Sequence, residues 1–296
     1  MLLGKAARFA VGSGGMNRRP WRWIDCLLVF VLALSCSKHG LAPDHHDRGV
    51  DRVIVAGSTA ILPLLTDAAN DFMRSHPRIA VEVQGGGSYR GVTRTLQGDV
   101  TIGASDVCAD ASIASRLQDH KVAMSGFAAM ANRGIFNEQI QSLSLEQLKS
   151  IFTGQIKDWF DVGGRHQHIT VINRRKGSGT RVAFGQAVLG SDEFVAGPDQ
   201  DSSALVLTSL EQTEGAISYL ALAYRRDGLK VFAVAGVAAT NTNVVNGTYP
   251  IWSYEHLYTL GPAAGAAKTF IDYLLSYEVQ ANLIQRNGFA PLSADR

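Results

Sequence analysis

Four short turns, each lying where a β-like run gives way to a helix-like run, constrain the fold of this sequence most strongly. They read AGSTA (56–60), QGGGS (84–88), GASD (103–106) and RRKGSGTR (174–181). Alternating strands and helices predict an α/β architecture with mainly parallel sheets. Because ligands of open α/β sheets bind outside the carboxyl ends of the strands, the four turns are expected to meet in one crevice.

The periodicity of apolar residues predicts the elements on either side of these turns. Ser144 and Gln147 form a capping-box pattern at the start of one helix. Strands are predicted at 52–57, 79–84, 100–106, 122–131, 169–173 and 230–236. Helices are predicted from residue 61 to the break at Pro77, and at 89–97, 111–118, 145–152, 182–190, 202–212 and 266–286.

The octet RRKGSGTR is the richest of the four turns. Its glycines let a ligand approach the backbone, and Ser178 and Thr180 offer hydroxyl donors. A helix that begins here presents unpaired backbone N–H groups and the positive end of its dipole, which together favour a small anion. An ordinary N-cap, with either hydroxyl capping the helix and the cations in solvent, explains the octet alone equally well. The similar turns after three other strands favour the anion site.

The distribution of charge excludes one broad class of function. The formal net charge is +2, from 28 Lys and Arg against 26 Asp and Glu. Residues 1–49 hold seven of the cations and three of the acidic residues, so the remainder carries 21 cations against 23 acidic residues. A nucleic-acid-binding protein needs an extended basic surface, which this composition does not supply. Any anion site is therefore local.

The first fifty residues have the pattern of an export leader followed by a tether. Residues 1–36 are predicted to be a signal peptide, with Met16 as the true start. A basic run and a short apolar run end at Ser-Cys, so Cys36 is predicted to be lipidated; simple secretion, with Cys36 lost or left free, stays open. Residues 37–50 predict a flexible tether. The protein is thus expected in the periplasm or on the cell surface, touching the membrane only through the lipid anchor. Cys108, in the body of the chain, has no expected disulfide partner.

Longer stretches carry a family resemblance. The first three predicted strands are followed by GSTA, GGGS and GASD; the octet is preceded by LSLEQLKSIFTGQIKDWFDVGG; and the chain closes with GTYPIWSYEHLYTL and FIDYLLSYEVQANLIQRNGFAPL. In these motifs residues 52–292 resemble the substrate-binding proteins of bacterial phosphate ABC transporters. That family has the class II periplasmic-binding-protein fold. The resemblance implies two α/β lobes, joined by hinge strands, with a ligand cleft between them.

The resemblance also implies how the chain is divided and what it does. The first lobe is expected to comprise residues 50–125, completed by residues 249–296, and the second lobe residues 126–248. The implied function is the capture of inorganic phosphate by a monomer and its delivery to a membrane permease. No enzymatic activity, cofactor, metal or nucleic-acid partner is implied.

The family's phosphate-binding positions can be transferred motif by motif. Asp106 would accept a hydrogen bond from the ligand and Arg174 would be its cationic partner, whereas Arg90, Arg175 and Lys176 are expected in solvent. The resemblance implies that phosphate is bound by Thr59, Ala60, Ser88, Asp106, Arg174, Ser178, Gly179 and Thr180.

Two other functions remain as alternatives. Another oxyanion, such as sulfate or molybdate, would suit the same helix starts. A secreted serine hydrolase that uses Ser178 is disfavoured, because Lys176 occupies the place of the first glycine in the G-x-S-x-G motif. The nucleotide-binding motif G-x-x-x-x-G-K-[ST] is absent from the sequence, which excludes the corresponding class of hydrolase.

Overall fold

The computed structural model describes residues 49–132 and 139–292. The chain divides into two units, Met1–Asp47 and Arg48–Arg296, and the described residues all belong to the second. No helix in these two described ranges has the length and apolarity needed to cross a membrane.

Several predictions for the leader fall outside the described residues. They are the signal peptide at 1–36, its start at Met16, the lipidated Cys36 and all but the last two residues of the tether at 37–50. These stay predictions.

A helix begins at or shortly after each of the four predicted turns. α4 begins with the predicted capping box: Ser144 Oγ accepts the Gln147 N–H at 3.1 Å, and Gln147 Oε1 accepts the Ser144 N–H at 2.9 Å. The described α-helices are α1 (Leu62–Ser75), α2 (Ser88–Gln97), α3 (Ala111–Ala114), α4 (Leu145–Phe152), α5 (Gly179–Val188), α6 (Ser203–Gln212), α7 (Asn241–Val245) and α8 (Gly265–Leu275). Short 3₁₀ helices span Trp159–Val162 and Leu222–Tyr224, and a π-helix spans Val279–Ile284.

The strands form one large sheet and two small two-stranded ones within the described ranges. The strands are β1 (Asp51–Gly57), β2 (Ile79–Gln84), β3 (Ile102–Ser105), β4 (Leu117–Asn132), β5 (Ser142–Leu143), β6 (Thr170–Val171), β7 (Asn173–Arg174), β8 (Asp199–Gln200), β9 (Ala216–Ala221), β10 (Leu229–Val231), β11 (Ala233–Val234) and β12 (Trp252–Leu260). The large sheet has the order β2-β1-β3-β12-β4-β9-β6, and β10 also pairs with β4.

The expectation of mainly parallel sheets is wrong, because the large sheet is mixed. β1 pairs in parallel with β2 and β3, and β6 with β9. β12 is antiparallel to both β3 and β4, and β4 is antiparallel to β9 and β10. The two antiparallel pairs of β12 arise because the C-terminal part of the chain returns and inserts this strand between β3 and β4.

Two hydrophobic clusters meet along β4, which passes from one cluster to the other between Ala123 and Met124. The first cluster contains Val55, Phe72 and Ala123, together with the C-terminal Phe270 and Phe289. The second cluster begins at the very next strand residue, with members from Met124 and Phe127 through Trp159, Tyr219 and Tyr249. β4 therefore runs from one core into the other, as a strand that joins two lobes does. The exact lobe boundaries at 125 and 248 stay predictions.

Two predicted helices differ from the structure in their extent. The helix expected at 111–118 ends at Ala114, because Leu117 already pairs with Leu260 at the start of β4. The helix expected at 266–286 stops at Leu275, since Ser276 has extended dihedral angles (φ −63°, ψ 147°). The chain then continues as the π-helix Val279–Ile284.

Candidate functional site

Asp106 lies immediately beyond the end of β3, and its side chain is surrounded by hydroxyl groups. The residue is 1% exposed. Its Oδ1 accepts a hydrogen bond from the Ser58 hydroxyl, and its Oδ2 accepts one from Thr180 Oγ1 at 2.7 Å. Its backbone N–H donates to Ser88 Oγ at 3.1 Å. Two of the other predicted turns thus donate to this carboxylate, and the third accepts the backbone N–H of the same residue.

Arg174, the last residue of β7, is the cationic counterpart and is also 1% exposed. Its Nη1 donates to Ser203 Oγ at 3.1 Å, and its Nη2 donates to Thr59 Oγ1 at 3.0 Å and to the Asp201 carbonyl at 3.3 Å. Its Nε has no hydrogen-bond partner among the described residues. Burial lowers the pKa of Arg174, and the charge of Asp106 opposes that effect. The guanidinium is therefore poorly solvated and available to an anion.

Four helices begin beside this pair of charges. Each is at least ten residues long, so each brings unpaired backbone N–H groups and the positive end of a helix dipole. The residues at these starts are Thr59 and Ala60 before α1, Ser88 in α2, Gly179 and Thr180 in α5, and Ser203 in α6. Such an arrangement is suited to a small oxyanion.

The start of α5 resolves the two interpretations of the octet. Ser178 is the N-cap, and its Oγ accepts the Arg181 N–H at 3.3 Å. Thr180, two residues later, turns its hydroxyl to Asp106 instead. The octet is thus both a capped helix start and part of the buried polar cluster. No histidine hydrogen-bonds to Ser178 in the described part of the chain, so nothing here favours a hydrolytic serine.

Gly179 is needed for the close approach of α5 to the first lobe. A Cβ atom at this position would lie 2.9 Å from Ser88 Cβ and 3.0 Å from Asp106 Cβ, which is closer than carbon atoms pack. Ala60 contributes its backbone, since its N–H donates to Ser58 Oγ at 3.0 Å. All eight residues predicted to bind the ligand are buried.

The cations predicted to lie in solvent are exposed in the structure. Arg90, Arg175 and Lys176 all have exposed side chains, and Arg175 Nε forms a surface ion pair with Asp201 Oδ1 at 2.9 Å. Positive charge inside the cluster is therefore supplied by Arg174 rather than by Arg175 or Lys176.

Several buried polar residues of the cluster were not predicted from the sequence. Ser58 lies in the AGSTA turn, so that motif already contained the signal. Ser203 lies at the start of the helix predicted at 202–212, which is a weaker signal of the same kind. Two tyrosines also form hydrogen bonds with residues of the cluster. The Arg174 N–H donates to Tyr219 Oη at 3.1 Å, and Tyr224 Oη donates to the Thr59 carbonyl at 2.6 Å. Burial raises the pKa of both tyrosines to about 12, so both stay neutral.

Glu255, on β12, is a further buried carboxyl next to Asp106. It is 0% exposed, and neither of its oxygens has a hydrogen-bond partner among the described residues. Burial raises the pKa of Glu255 well above its usual value, and the charge of Asp106 raises it further. Burial therefore favours the protonated form of this side chain. No motif marks this residue in the sequence.

The arrangement can hold a small tetrahedral oxyanion that carries a proton. Helix starts, hydroxyls and one guanidinium donate to such an anion, and Asp106 can accept its proton. No group of three or more His, Cys, Asp or Glu residues able to hold a metal ion occurs among the described residues.

Comparison with known proteins assigns the family. A family model described as "PBP superfamily domain" matches residues 42–278. The chain belongs to the PBP superfamily. Among curated proteins it is similar to the "Phosphate-binding protein PstS" of Bacillus subtilis (strain 168), with 40% identity over 243 residues, 81% of this chain and 80% of that protein.

Solved structures of this superfamily share the two-lobed α/β fold. A phosphate ABC transporter substrate-binding protein from Clostridium perfringens, solved with bound phosphate, is 28% identical, with a TM-score of 0.77 over 82% of this chain and 100% of that one. An ABC-type phosphate transport receptor from Vibrio cholerae is 25% identical, with a TM-score of 0.67 over 81% of this chain and 100% of that one. The fold predicted from the sequence is thereby confirmed.

Proposed function

We propose that this protein binds inorganic phosphate between its two lobes and delivers it to the permease of an ABC transporter. The observation that carries the proposal is the buried pair of Asp106 and Arg174, at which four helices begin. Its similarity to phosphate-binding proteins of known sequence and structure supports the same function.

The ligand is held by charge and by directed hydrogen bonds. Arg174 offers a planar fork that matches two oxygens of a tetrahedral anion. The remaining oxygens are met by hydroxyl and backbone donors at the helix starts, which stabilise negative charge without a strongly basic surface. The residues that we assign to this role are Thr59, Ala60, Ser88, Asp106, Arg174, Ser178, Gly179 and Thr180.

Asp106 explains why the ligand is phosphate rather than sulfate. An ionised carboxylate only accepts hydrogen bonds. Phosphate retains at least one proton at neutral pH and can donate it to Asp106, whereas sulfate has none to donate. With sulfate two acceptors would face each other without water, which is a penalty against the wrong ligand rather than an attraction to the right one. Sites that depend on a ligand's donor reject an analogue without it by roughly 10⁴–10⁵-fold.

Calorimetric titration with phosphate, sulfate and molybdate tests this proposal. The wild-type protein should bind phosphate and discriminate strongly against the other two anions. Asp106→Asn should retain much of the phosphate affinity and narrow the gap to sulfate, because its amide can donate to either anion. Asp110→Asn is the matched control, since Asp110 is an exposed helix cap four residues later and should have no effect on selectivity. Equal binding of sulfate and phosphate by wild type would contradict the proposal.

We further propose that the protein works outside the cytoplasm as a lipid-anchored monomer. The support is the basic and apolar leader that ends at Cys36, followed by a polar tether up to residue 50. Mass spectrometry of membranes from cells that express the full chain should detect a diacylglyceryl group on the peptide that begins with Cys36. Cys36→Ser should release the protein from the membrane. A wild-type product that is soluble and begins at another residue would contradict the anchor.

A further inference from the structure

A second cluster of reactive side chains lies outside the phosphate site, on the opposite face of β12. Glu255 and His256 are consecutive in this strand, with a β-bulge between them; Glu255 faces Asp106, whereas His256 faces Asp119 of β4. His256 Nδ1 lies 2.8 Å from Asp119 Oδ1 and 3.0 Å from Asp119 Oδ2. On its other side, His256 Nε2 lies 3.8 Å from Cys108 Sγ.

This order of thiol, imidazole and carboxylate determines where protons reside. The Asp119 carboxylate accepts a hydrogen bond from Nδ1–H, which leaves Nε2 of the neutral ring as an acceptor directed at the Cys108 thiol. A thiol beside a base that is oriented by a third group is the usual arrangement of an activated sulfur nucleophile. Cys108 is exposed and forms no disulfide, so the sulfur is accessible.

The imidazole ring of His256 is held in one orientation by its neighbours. His256 is 1% exposed and stacks on the Tyr258 ring, with the ring centroids 5.6 Å apart and the planes 5° from parallel. Tyr258 Oη accepts the Ala109 N–H at 2.8 Å, which ties the segment containing Cys108 to the same strand.

The charged groups around the thiol come from two neighbouring segments. β4 supplies Asp119 and also Lys121, which pairs directly opposite His256 in the strand register. The segment before α3 supplies the exposed carboxylate of Asp110. Of the groups named here, His256 is the base whose ring nitrogen lies within 4 Å of Cys108 Sγ.

We propose that Cys108, His256 and Asp119 form a thiol-exchange site that reacts with low-molecular-weight disulfides. The thiol proton of Cys108 passes to His256 Nε2. The thiolate then attacks one sulfur of the small disulfide, a new S–S bond to Cys108 forms as the original S–S bond breaks, and the leaving thiolate takes up the proton. One disulfide is consumed and one is formed, so no further oxidant is needed.

The size of the expected effect follows from thiolate chemistry. A free cysteine has a pKa of about 8.5, so only a few per cent of it is thiolate at pH 7. Complete conversion to thiolate would raise the rate about thirtyfold, and the lower nucleophilicity of a less basic thiolate reduces this gain. We therefore expect Cys108 to react roughly tenfold faster at pH 7 than cysteine in an unstructured peptide.

The test follows the reaction of the full-length protein with cystamine, with Cys108→Ser as the blank for the other two cysteines. His256→Gln should lower the rate at pH 7 to that of an unstructured peptide, and Asp119→Asn should lower it in part. His120→Gln is the matched control: His120 is the next residue of β4, points to the other face and bonds Thr259 Oγ1 at 3.1 Å. Its rate should stay within twofold of wild type.

The dependence of the rate on pH separates activation from a structural role. Wild type should stay reactive well below pH 8, whereas His256→Gln should gain reactivity only as pH rises towards about 8.5, as an ordinary thiol does. Circular dichroism checks that each variant is folded. Should His256→Gln fail to fold, the wild-type profile and Asp119→Asn still decide. A wild-type profile like that of a free thiol, or an unchanged rate in both variants, would overturn the proposal.

Discussion

The replacement of Glu255 by Gln should make the stability of the protein less dependent on pH. Glu255 is completely buried, its oxygens have no hydrogen-bond partner among the described residues, and Asp106 lies beside it. Its pKa in the folded protein is raised above the usual value of 4.5, chiefly by burial. The unfolded chain has no such shift, so folding favours the protonated form of Glu255.

The sign and the size of the effect follow from proton linkage. Where the folded state binds more protons than the unfolded state, the free energy of unfolding falls as pH rises. The stability associated with the neutral Glu255 is complete below the unfolded pKa and is lost as pH rises through the folded pKa. Between those two values the loss is about 1.4 kcal/mol for each pH unit. Gln cannot ionise, so the unfolding free energy of Glu255→Gln should rise relative to that of wild type by about this amount for each pH unit.

Urea unfolding followed by circular dichroism, from pH 4 to pH 8, measures this difference directly. Glu82→Gln is a matched control: Glu82 is on β2, is surface-exposed in part, and its pKa is lowered, first by a hydrogen bond from Arg52. Glu82→Gln should change the free energy of unfolding little. Its difference from wild type should vary with pH in the opposite direction to that of Glu255→Gln. If wild type and Glu255→Gln keep a constant difference in unfolding free energy throughout, Glu255 is not held neutral and its proximity to Asp106 has been misjudged.

Five further substitutions test the binding site and the packing of the fold. Arg174→Ala should weaken phosphate binding by about 3–5 kcal/mol in calorimetry, because it leaves Asp106 buried without its partner, and Arg174→Lys should restore only part of this. Arg175→Ala, in contrast, should change the phosphate affinity by less than about 1 kcal/mol, since its ion pair is at the surface. Gly91→Ala should lower the free energy of unfolding by about 1–3 kcal/mol, because its Cβ would lie 2.5 Å from a backbone oxygen of β1. Gly228→Ala, where a Cβ meets nothing within 4 Å, should leave the urea midpoint unchanged.

Local sequence patterns predicted the elements that flank the turns. The strand at 79–84 is observed with the same bounds, and α2 differs from its prediction by one residue at its start. Strong apolar alternation and glycine-rich turns define these elements locally, so little depends on distant contacts.

β12 was not predicted, and its buried polar residues explain why. Glu255 and His256 are 0% and 1% exposed, and the strand is buried on both faces from Glu255 to Thr259, so it lacks the alternation of polar and apolar residues that marks a half-buried strand. The antiparallel position of β12 between β3 and β4 depends on contacts across more than a hundred residues, which local periodicity does not contain.

The turns of the candidate site could be predicted from the sequence, but the buried residues that pack beside them could not. The turns containing Thr59, Ser88, Asp106 and Thr180 are visible because each follows a strand, and strand ends meet at one edge of a sheet. Glu255, by contrast, comes from a distant part of the chain and is defined only by what it packs against.

The make-up of the first hydrophobic cluster also determines when this protein can fold. Val55 and Phe72 are synthesised early, but their cluster is completed by Phe270 and Phe289, close to the C-terminus. A growing chain therefore exposes half of this core until almost its last residues have left the ribosome, and stable native structure must wait for them. Late completion of the core keeps the chain without stable tertiary structure during synthesis, and a polypeptide in that state can be threaded through a translocation channel.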